Sequence, residues 1–575
     1  MRTAWRGRFA QFLLLLGFLG VTAQLVRVQV VRAPALQAEA RSQAVHHVRV
    51  PAIRGAILDR NGAPLAVSTP VPSVYAAPPE VKASPAQVRR LAKALDMGAG
   101  DLRRRLASSS PFVYLKRQVP PRLAERVEAL GLPGIGTVRE YRRYYPAGEV
   151  AAHVVGFAGI DGHGLEGVEL AYDDTLSGHP GQRLVERDAL GRDIRTLRIT
   201  RPVERGQPLR LSIDGRLQYA AYQAVKEAVH RHHAKSGMAV VLDPHTGAVL
   251  ALVNVPSYNP NHLNGSSAAQ RRNRAATDAL EPGSIFKPFN VAAALEEGLV
   301  KPGTIINCEQ GLMRVSGHRI HDSHRMGRVT VRKVIQKSSN IGAAKIALEQ
   351  DNDELWRHLR DFGFGLQPGT GFPGETRGIL HLPYQWQRFD RATIGFGHGI
   401  AASALQVARA YAVLANGGVR LPLTLRRRDA HDRVDGERVL SRRTTDQIKR
   451  MLNMVVSPEG TGFRAALDGY RVAGKTGTAQ KPGPGGYREG KYLASFAGFA
   501  PVSDPSLVAV VMLDEPDAPY YGGVVAAPVF RRIMAHGLRL RRVPPQPGPH
   551  TEPPPVPMRQ ASGNDSADSQ GGNVS

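Results

Sequence analysis

Between Arg8 and Arg27 the chain runs for eighteen residues, Phe9 to Val26, without a charged side chain. As a helix rising about 1.5 Å per residue this run spans roughly 27 Å, close to the ~30 Å hydrocarbon core of a bilayer. Such a segment either crosses a membrane once or directs export, so the residues after it are expected together in one compartment. Arg2, Arg6 and Arg8 favour a cytoplasmic start, while Arg27 and Arg32 are long enough to reach the far interface. A cleaved signal peptide is the rival reading, because Val21-Thr22-Ala23 resembles a small-residue cleavage site. Continuation of the apolar run to Val26 favours the uncleaved anchor. The expected layout is a cytoplasmic 1–8, an anchor at 9–31 and the bulk of the chain outside the cytoplasm.

With 575 residues, 42% of them hydrophobic, the chain has room for two or three domains with real cores. Lys and Arg number 76 against 49 Asp and Glu, a formal charge of +27. The arginines are scattered, with no long basic run or interleaved aromatics, so nucleic-acid binding is not expected. Cys308 is the only cysteine. It excludes an intrachain disulfide and reads as a small buried residue rather than a nucleophile.

In 54-RGAILDRNGAPLAVST-69, Asp59-Arg60-Asn61-Gly62 reads as a turn between two short apolar strands. A basic helix-like stretch (87–106) and the Gly-rich 159–178 follow, with no plausible catalytic constellation as far as about Arg205. Residues 216–233 have helical periodicity, and 238-MAVVLDPHTGAVLALVN-254 is a hairpin of two apolar runs. The signals to about Ile346 are mainly helical. Ser403 and Gln406 form a capping box for a helix that Asn416-Gly417 should close. Strands return at 492–500 and 507–513, before a last helix near 525–537. The implied fold is α/β (α+β), a sheet built from both ends of a domain with helices between. Residues 543–575 are Pro-rich and then Ser/Gly/Asn/Asp-rich, and are expected to be disordered.

The stretch 469-GYRVAGKTGTAQ-480 fits the phosphate-binding pattern G-x-x-x-x-G-K-[ST]. A true P-loop needs a helix after Lys475-Thr476, and 477-GTAQKPGPGGY-487 cannot propagate one through its glycines and prolines. Residues 470–473 look like a strand instead, and an exported domain has no nucleotide supply. In that reading Gly469→Ala is tolerated and Lys475→Ala is not. Neither nucleotide nor nucleic acid is expected as a ligand.

In 281-EPGSIFKPFN-290, Pro282-Gly283 punctuate the chain, Ser284 opens a helix and Pro288 lies near its first turn. Ser284 and Lys287, at i and i+3, share a face. A neutral lysine amine beside a serine hydroxyl can take its proton, and burial or a second cation such as Lys475 lowers that lysine's pKa. In 336-QKSSNIG-342, Ser338 and Asn340 can point into one cleft from a turn between helices. Each short motif is weak alone; their order, with Lys475-Thr476-Gly477 last, is a strong signal.

With those three motifs the chain resembles the class B penicillin-binding proteins and, within them, the division-specific D,D-transpeptidases. Arg54-Gly55, 59-DRNG-62, 164–169, 257-SYNPN-261, 281-EPGS-284 and 520-YYGGVVAAPVF-530 carry the resemblance over nearly the whole chain. It implies a penicillin-binding, serine β-lactamase-like transpeptidase domain at 210–540, an antiparallel sheet flanked by helices, after a pedestal (dimerisation) domain at 40–205 and the transmembrane anchor. Ser284 would be the acylated nucleophile, Lys287 its general base and Ser338 the proton relay. Asn340 would hold the donor peptide, and Lys475, Thr476, Gly477 and Thr478 would form the substrate-binding strand. The amides of Ser284 and Thr478 would form the oxyanion hole. The reaction implied is acyl transfer between peptidoglycan stem pentapeptides, with β-lactams as mimics, no cofactor and no metal. A single-pass inner-membrane location, a periplasmic catalytic domain and partnership with an FtsW-type glycosyltransferase and other divisome proteins are implied too.

Two rival functions stay open. A serine β-lactamase shares the nucleophile but needs a deacylating base, commonly the Glu of an E-x-x-x-N segment that is missing between Ser338 and Lys475. A non-catalytic β-lactam receptor or division scaffold is the other. The histidines 230, 232 and 233, and 321 with Asp322 and 324, offer too few well-placed ligands for zinc.

Overall fold

The computed structural model describes residues 2–36, 45–187, 193–428, 432, 434–483 and 486–546. Near the N-terminus, Arg8–Val31 forms one apolar helical stretch long enough to cross a membrane. It is an α-helix to Val26 that continues as a π-helical turn through Val31.

A five-stranded antiparallel sheet carries the site: β1 Ser236–Leu242, β2 Val249–Val255, β3 Ala473–Gly483, β4 Gly486–Ala500 and β5 Leu507–Asp514, in spatial order β2-β1-β5-β4-β3. Both ends of the domain therefore build one sheet, as expected. Every residue of β1, β2 and β5 is buried, because both faces are covered. Met238, Val240, Val508, Val510 and Met512 face one core; Ala239, Val241, Ala509, Val511 and Leu513 face the other. This period-2 division explains why the strands read as continuous apolar runs.

The helices α1 Gly215–Arg231 and α6 Ala527–Leu540 cover one face. On the other lie α2 Lys287–Glu296, α3 Val331–Lys337, α4 Asn340–Leu348 and α5 Ala404–Ala415. Helix α1 is capped by Asp214, and α5 by the Ser403–Gln406 box the sequence announces.

The N-terminal region is fastened to this domain by the motifs that carry no chemistry. Asp59 Oδ2 accepts the Gly215 N–H at the start of α1 (3.0 Å), and Arg60 N–H donates to Ile213 O (2.8 Å). Asn261 of 257-SYNPN-261 bonds both the N–H and the C=O of Tyr145 at 2.9 Å. Within the N-terminal region itself, Arg54 is buried on Glu169 and Asp173, each at 2.6 Å, and Arg143 meets Glu169 at 2.7 Å. Cutting one partner from such a knot leaves an uncompensated buried charge, which costs several kcal/mol.

Four expectations are corrected. Residues 87–106 form two helices, Pro85–Leu95 and Ala99–Leu106, because Asp96 takes a left-handed conformation (φ 51°) between them. The stretch before Ile346 holds four short strands: Ile305–Asn307 pairs Arg328–Thr330, and Leu312–Val315 pairs His318–His321 around a Ser316-Gly317 turn. Strand β3 begins only at Ala473, since Asn453 Nδ2 occupies Val472 O and Arg471 O accepts from Val502 N–H. Finally, residues 543–546 of the stretch expected to be disordered are bonded to the domain: Gln546 N–H donates to Gly469 O at 2.7 Å, and Tyr470 Oη donates to Val543 O at 2.7 Å. The rest of the tail, 547–575, and the first pedestal residues, 40–44, lie outside the described residues.

Candidate active site

Ser284 sits in a tight 3₁₀ turn, Gly283–Phe286, that runs into α2. Gly283 adopts φ +57°, a conformation that suits glycine, and its added Cβ would lie 2.8 Å from the Ala479 side chain. Pro288 is at the second helical position, where its missing N–H is harmless. The short turn puts Ser284 Oγ 2.9 Å from Lys287 Nζ.

Lys287 is fully buried, and its amine touches three further oxygens: Ser338 O at 2.6 Å, Asn340 Oδ1 at 2.7 Å and Ser338 Oγ at 3.1 Å. The two carbonyl oxygens can only accept. They absorb both N–H bonds of a neutral amine and leave its lone pair for the Ser284 hydroxyl proton. Burial lowers the Lys287 pKa to about 7, against the opposing pull of Asp322. An amine so placed is poised near neutrality and able to accept a proton.

Ser338 caps α3 in a left-handed conformation (φ 61°), and Asn340 opens α4 two residues later, so both reach the same amine. Lys475, also fully buried, donates to Ser338 Oγ at 2.9 Å and to Thr476 O at 3.0 Å. Burial and then the charge of Lys287 push its pKa well down. Two ammonium groups around one hydroxyl repel, which disfavours charging Lys475 beside Lys287.

Strand β3 brings the remaining residues. Lys475-Thr476-Gly477-Thr478 pairs in register with Ala497, Phe496, Ser495 and Ala494 of β4, inside a ladder. A strand here, with no helix after Thr476, removes the phosphate-loop reading. Gly477 is a packing requirement: its added Cβ would meet Ser495 Oγ at 2.2 Å and Ile285 Cγ2 at 3.0 Å. Thr476 Oγ1 is 2.7 Å from Thr461 Oγ1, and Thr478 Oγ1 accepts Gly522 N–H at 3.1 Å. The expected residues Ser284, Lys287, Ser338, Asn340 and Lys475 thus converge on one cluster, with Thr476, Gly477 and Thr478 on its adjoining strand.

Two residues escaped the sequence reading. Thr461 holds Thr476, and Asp322 holds the Ser338–Asn340 turn. The Asp322 carboxylate accepts from Ser339 Oγ at 2.6 Å, from Ile341 N–H at 3.0 Å and from Asn340 N–H, capping α4. His321 O takes Asn340 Nδ2–H at 2.9 Å, so this histidine–aspartate segment serves the turn. The ribbon that delivers it was signalled by Ser316-Gly317 between alternating apolar residues. Cys308 is buried, with its thiol pKa pushed up by burial. His230 and His233 are exposed.

Residues 237–535 match the penicillin binding protein transpeptidase domain, and residues 49–211 match the penicillin-binding protein dimerisation domain. The chain belongs to the penicillin-binding protein transpeptidases. This penicillin-binding protein is 40% identical over 550 residues to the peptidoglycan D,D-transpeptidase FtsI of Escherichia coli K12, covering 94% of this chain and 93% of that one. It is 39% identical to the probable peptidoglycan D,D-transpeptidase PenA of Neisseria meningitidis, over 92% of this chain and 91% of the relative. Penicillin-binding protein 3 of Mycobacterium tuberculosis, solved with ampicillin, superposes with a TM-score of 0.68 at 29% identity, over 88% of this chain and 98% of that one.

Proposed function

We propose that this penicillin-binding protein is a serine-type peptidoglycan D,D-transpeptidase that cross-links stem peptides of the septal wall during division, and a β-lactam target. The observation that carries the reading is the Ser284–Lys287–Ser338–Lys475 chain, built on two fully buried lysines, each step 2.9–3.1 Å. Ser284 Oγ attacks the D-Ala-D-Ala carbonyl as Lys287 takes its proton. Ser338 passes that proton to the leaving D-alanine nitrogen. The amine of a second stem then attacks the ester, giving one proton to the now neutral Lys287, which passes it to Ser284 Oγ as the amide N–C bond forms and the ester C–O bond breaks. Lys475 and Thr478 face the donor's carboxylate end, Asn340 its amide, and the Ser284 and Thr478 amides the oxyanion.

The N-terminal apolar helix fits a single-pass inner-membrane anchor, and the arginines before it support a periplasmic catalytic domain. Names of the FtsI relatives support a division role. An FtsW-type glycosyltransferase and other divisome proteins are the partners this reading calls for. Among the described residues no carboxylate hydrogen-bonds Ser284 or Lys287, which favours a long-lived acyl-enzyme over a β-lactamase.

The test is cross-linking by the full-length protein on glycan strands bearing pentapeptides, supplied with an active membrane glycosyltransferase. D-alanine release and dimeric stems are expected, both lost in Ser284→Ala. Rapid turnover of penicillin without cross-links would favour the β-lactamase, and neither activity would leave a receptor.

A further inference from the structure

The ribbon that delivers Asp322 has a second face. Strand Leu312–Val315 pairs His318–His321, and Met313, Val315 and Ile320 are buried in the core. Alternation along the strands turns Leu312, Arg314, Arg319 and His321 outward, and all four are exposed. Arg314 and Arg319 stand directly opposite each other in the register. Side chains so placed have Cβ atoms roughly 5 Å apart, and like charges there destabilise the pair. Arg325 adds a third exposed arginine at the Leu312 end, its Cα 3.3 Å from the Cβ position of Gly311. Among the described residues none of these three arginines has an ion pair or a side-chain hydrogen bond. The acids that flank the ribbon in sequence are engaged elsewhere, Glu309 by Lys345 at 2.5 Å and Asp322 by Ser339, Asn340 and Ile341.

This face ends at the catalytic cluster. His321 O accepts Asn340 Nδ2–H at 2.9 Å, and Asn340 Oδ1 accepts from the Lys287 amine at 2.7 Å. Arg319 precedes His321 by two residues, about 7 Å along the strand. The ribbon is not part of the five-stranded sheet, so a donor peptide extended along β3, with its carboxylate end at Lys475 and Thr478, leaves the arginines free. An uncompensated cation pair beside Asn340 and away from β3 is complementary to an anion on the other peptide.

We propose that the outer face of this ribbon is an acceptor subsite: Arg314 and Arg319 hold a carboxylate of the second stem peptide, one remote from its reacting amine, while that amine meets the acyl-enzyme. The inference rests on the transpeptidase reading. A carboxylate between the two guanidiniums offsets their repulsion and accepts charge-assisted hydrogen bonds from both. The arginines bind here and take no part in the proton transfers at Ser284.

The test uses full-length protein in detergent, an N-acyl-D-alanyl thioester donor and two acceptors: L-alanyl-γ-D-glutamyl-meso-diaminopimelate, and the same tripeptide amidated at the glutamyl α-carboxyl. Amide and hydrolysis products are followed against acceptor concentration, and fluorescent penicillin reads acylation separately. For half-maximal aminolysis the wild type should need about five- to tenfold less of the carboxylate peptide than of its amide, a preference that fades as salt is raised. Arg314→Gln combined with Arg319→Gln should remove the preference, out of proportion to any change in acylation. Arg319→Glu, which gives Arg314 an opposite charge across the ribbon, should hold or raise the thermal midpoint and still lose the preference, a combination that a merely structural role would not produce. Coincident curves for the two peptides in the wild type, a preference that survives in either variant, or acylation lost in equal proportion would overturn the subsite and leave the patch to an acidic partner. An acylated wild type that neither peptide aminolyses would overturn it as well, and one that is never acylated would overturn the transpeptidase reading itself.

Discussion

Lys287 and Lys475 meet at one hydroxyl: their amines lie 3.1 Å and 2.9 Å from Ser338 Oγ, and both are fully buried. Two like charges cannot share that oxygen cheaply when both amines are buried, so the charge of Lys287 adds to burial in lowering the Lys475 pKa.

Acylation should therefore follow the protonation of Lys287. Its pKa is lowered to about 7, and the neutral amine is the active form. The second-order rate of acylation by fluorescent penicillin should rise with pH through about 7 and then level. Lys287→Ala should lose the limb and about 10²–10⁴ in rate. A rate flat from pH 5.5 to 8.5 in the wild type would contradict this role.

Covalent labelling should be confined to Ser284. Mass spectrometry after penicillin treatment is expected to place one adduct there, and Ser284→Ala should abolish it with little change in thermal midpoint. An adduct on buried Cys308 is the result that would refute the assignment.

Asp322→Ala should damage both the fold and acylation. It removes the acceptor for Ser339 Oγ, Asn340 N–H and Ile341 N–H, at a cost of about 1–3 kcal/mol in denaturant unfolding. With the turn loosened, acylation should fall while the ascending pH limb moves down, because Asp322 raises the Lys287 pKa. Equal stability with unchanged rate would show that the carboxylate is dispensable.

Gly477→Ala and Gly469→Ala should part company. At Gly477 a Cβ would lie 2.2 Å from Ser495 Oγ and press on Ile285, next to Ser284, so acylation should be nearly lost. Gly469 has φ +79°, with Pro545 3.0 Å from its Cβ position, so alanine costs about 1 kcal/mol or more of stability but leaves acylation intact. The plain tolerance expected at Gly469 from sequence is corrected to that extent. Acylation rates normalised to folded protein separate the cases.

Much of this was legible in the chain itself because it is local. The Ser284–Lys287 pairing follows from one helical turn, the Ser403–Gln406 cap from its spacing, and the 238–254 hairpin from two apolar runs around a turn. The membrane-length helix needs only the absence of charge. Even the choice against a phosphate loop came from the glycines and prolines after Thr476.

What sequence could not decide depends on groups distant in the chain. Asp322 reads as part of a histidine-rich turn until a ribbon folds it under Asn340, and Thr461 has no motif at all. The left-handed Asp96 broke a continuous helical pattern through backbone geometry, which periodicity does not encode. Burial settles the chemistry: a lysine one turn after a serine is an ordinary cation in water. Only the surrounding core, with carbonyls at Ser338 and Asn340 and a second lysine behind them, makes it an amine that can serve as a base.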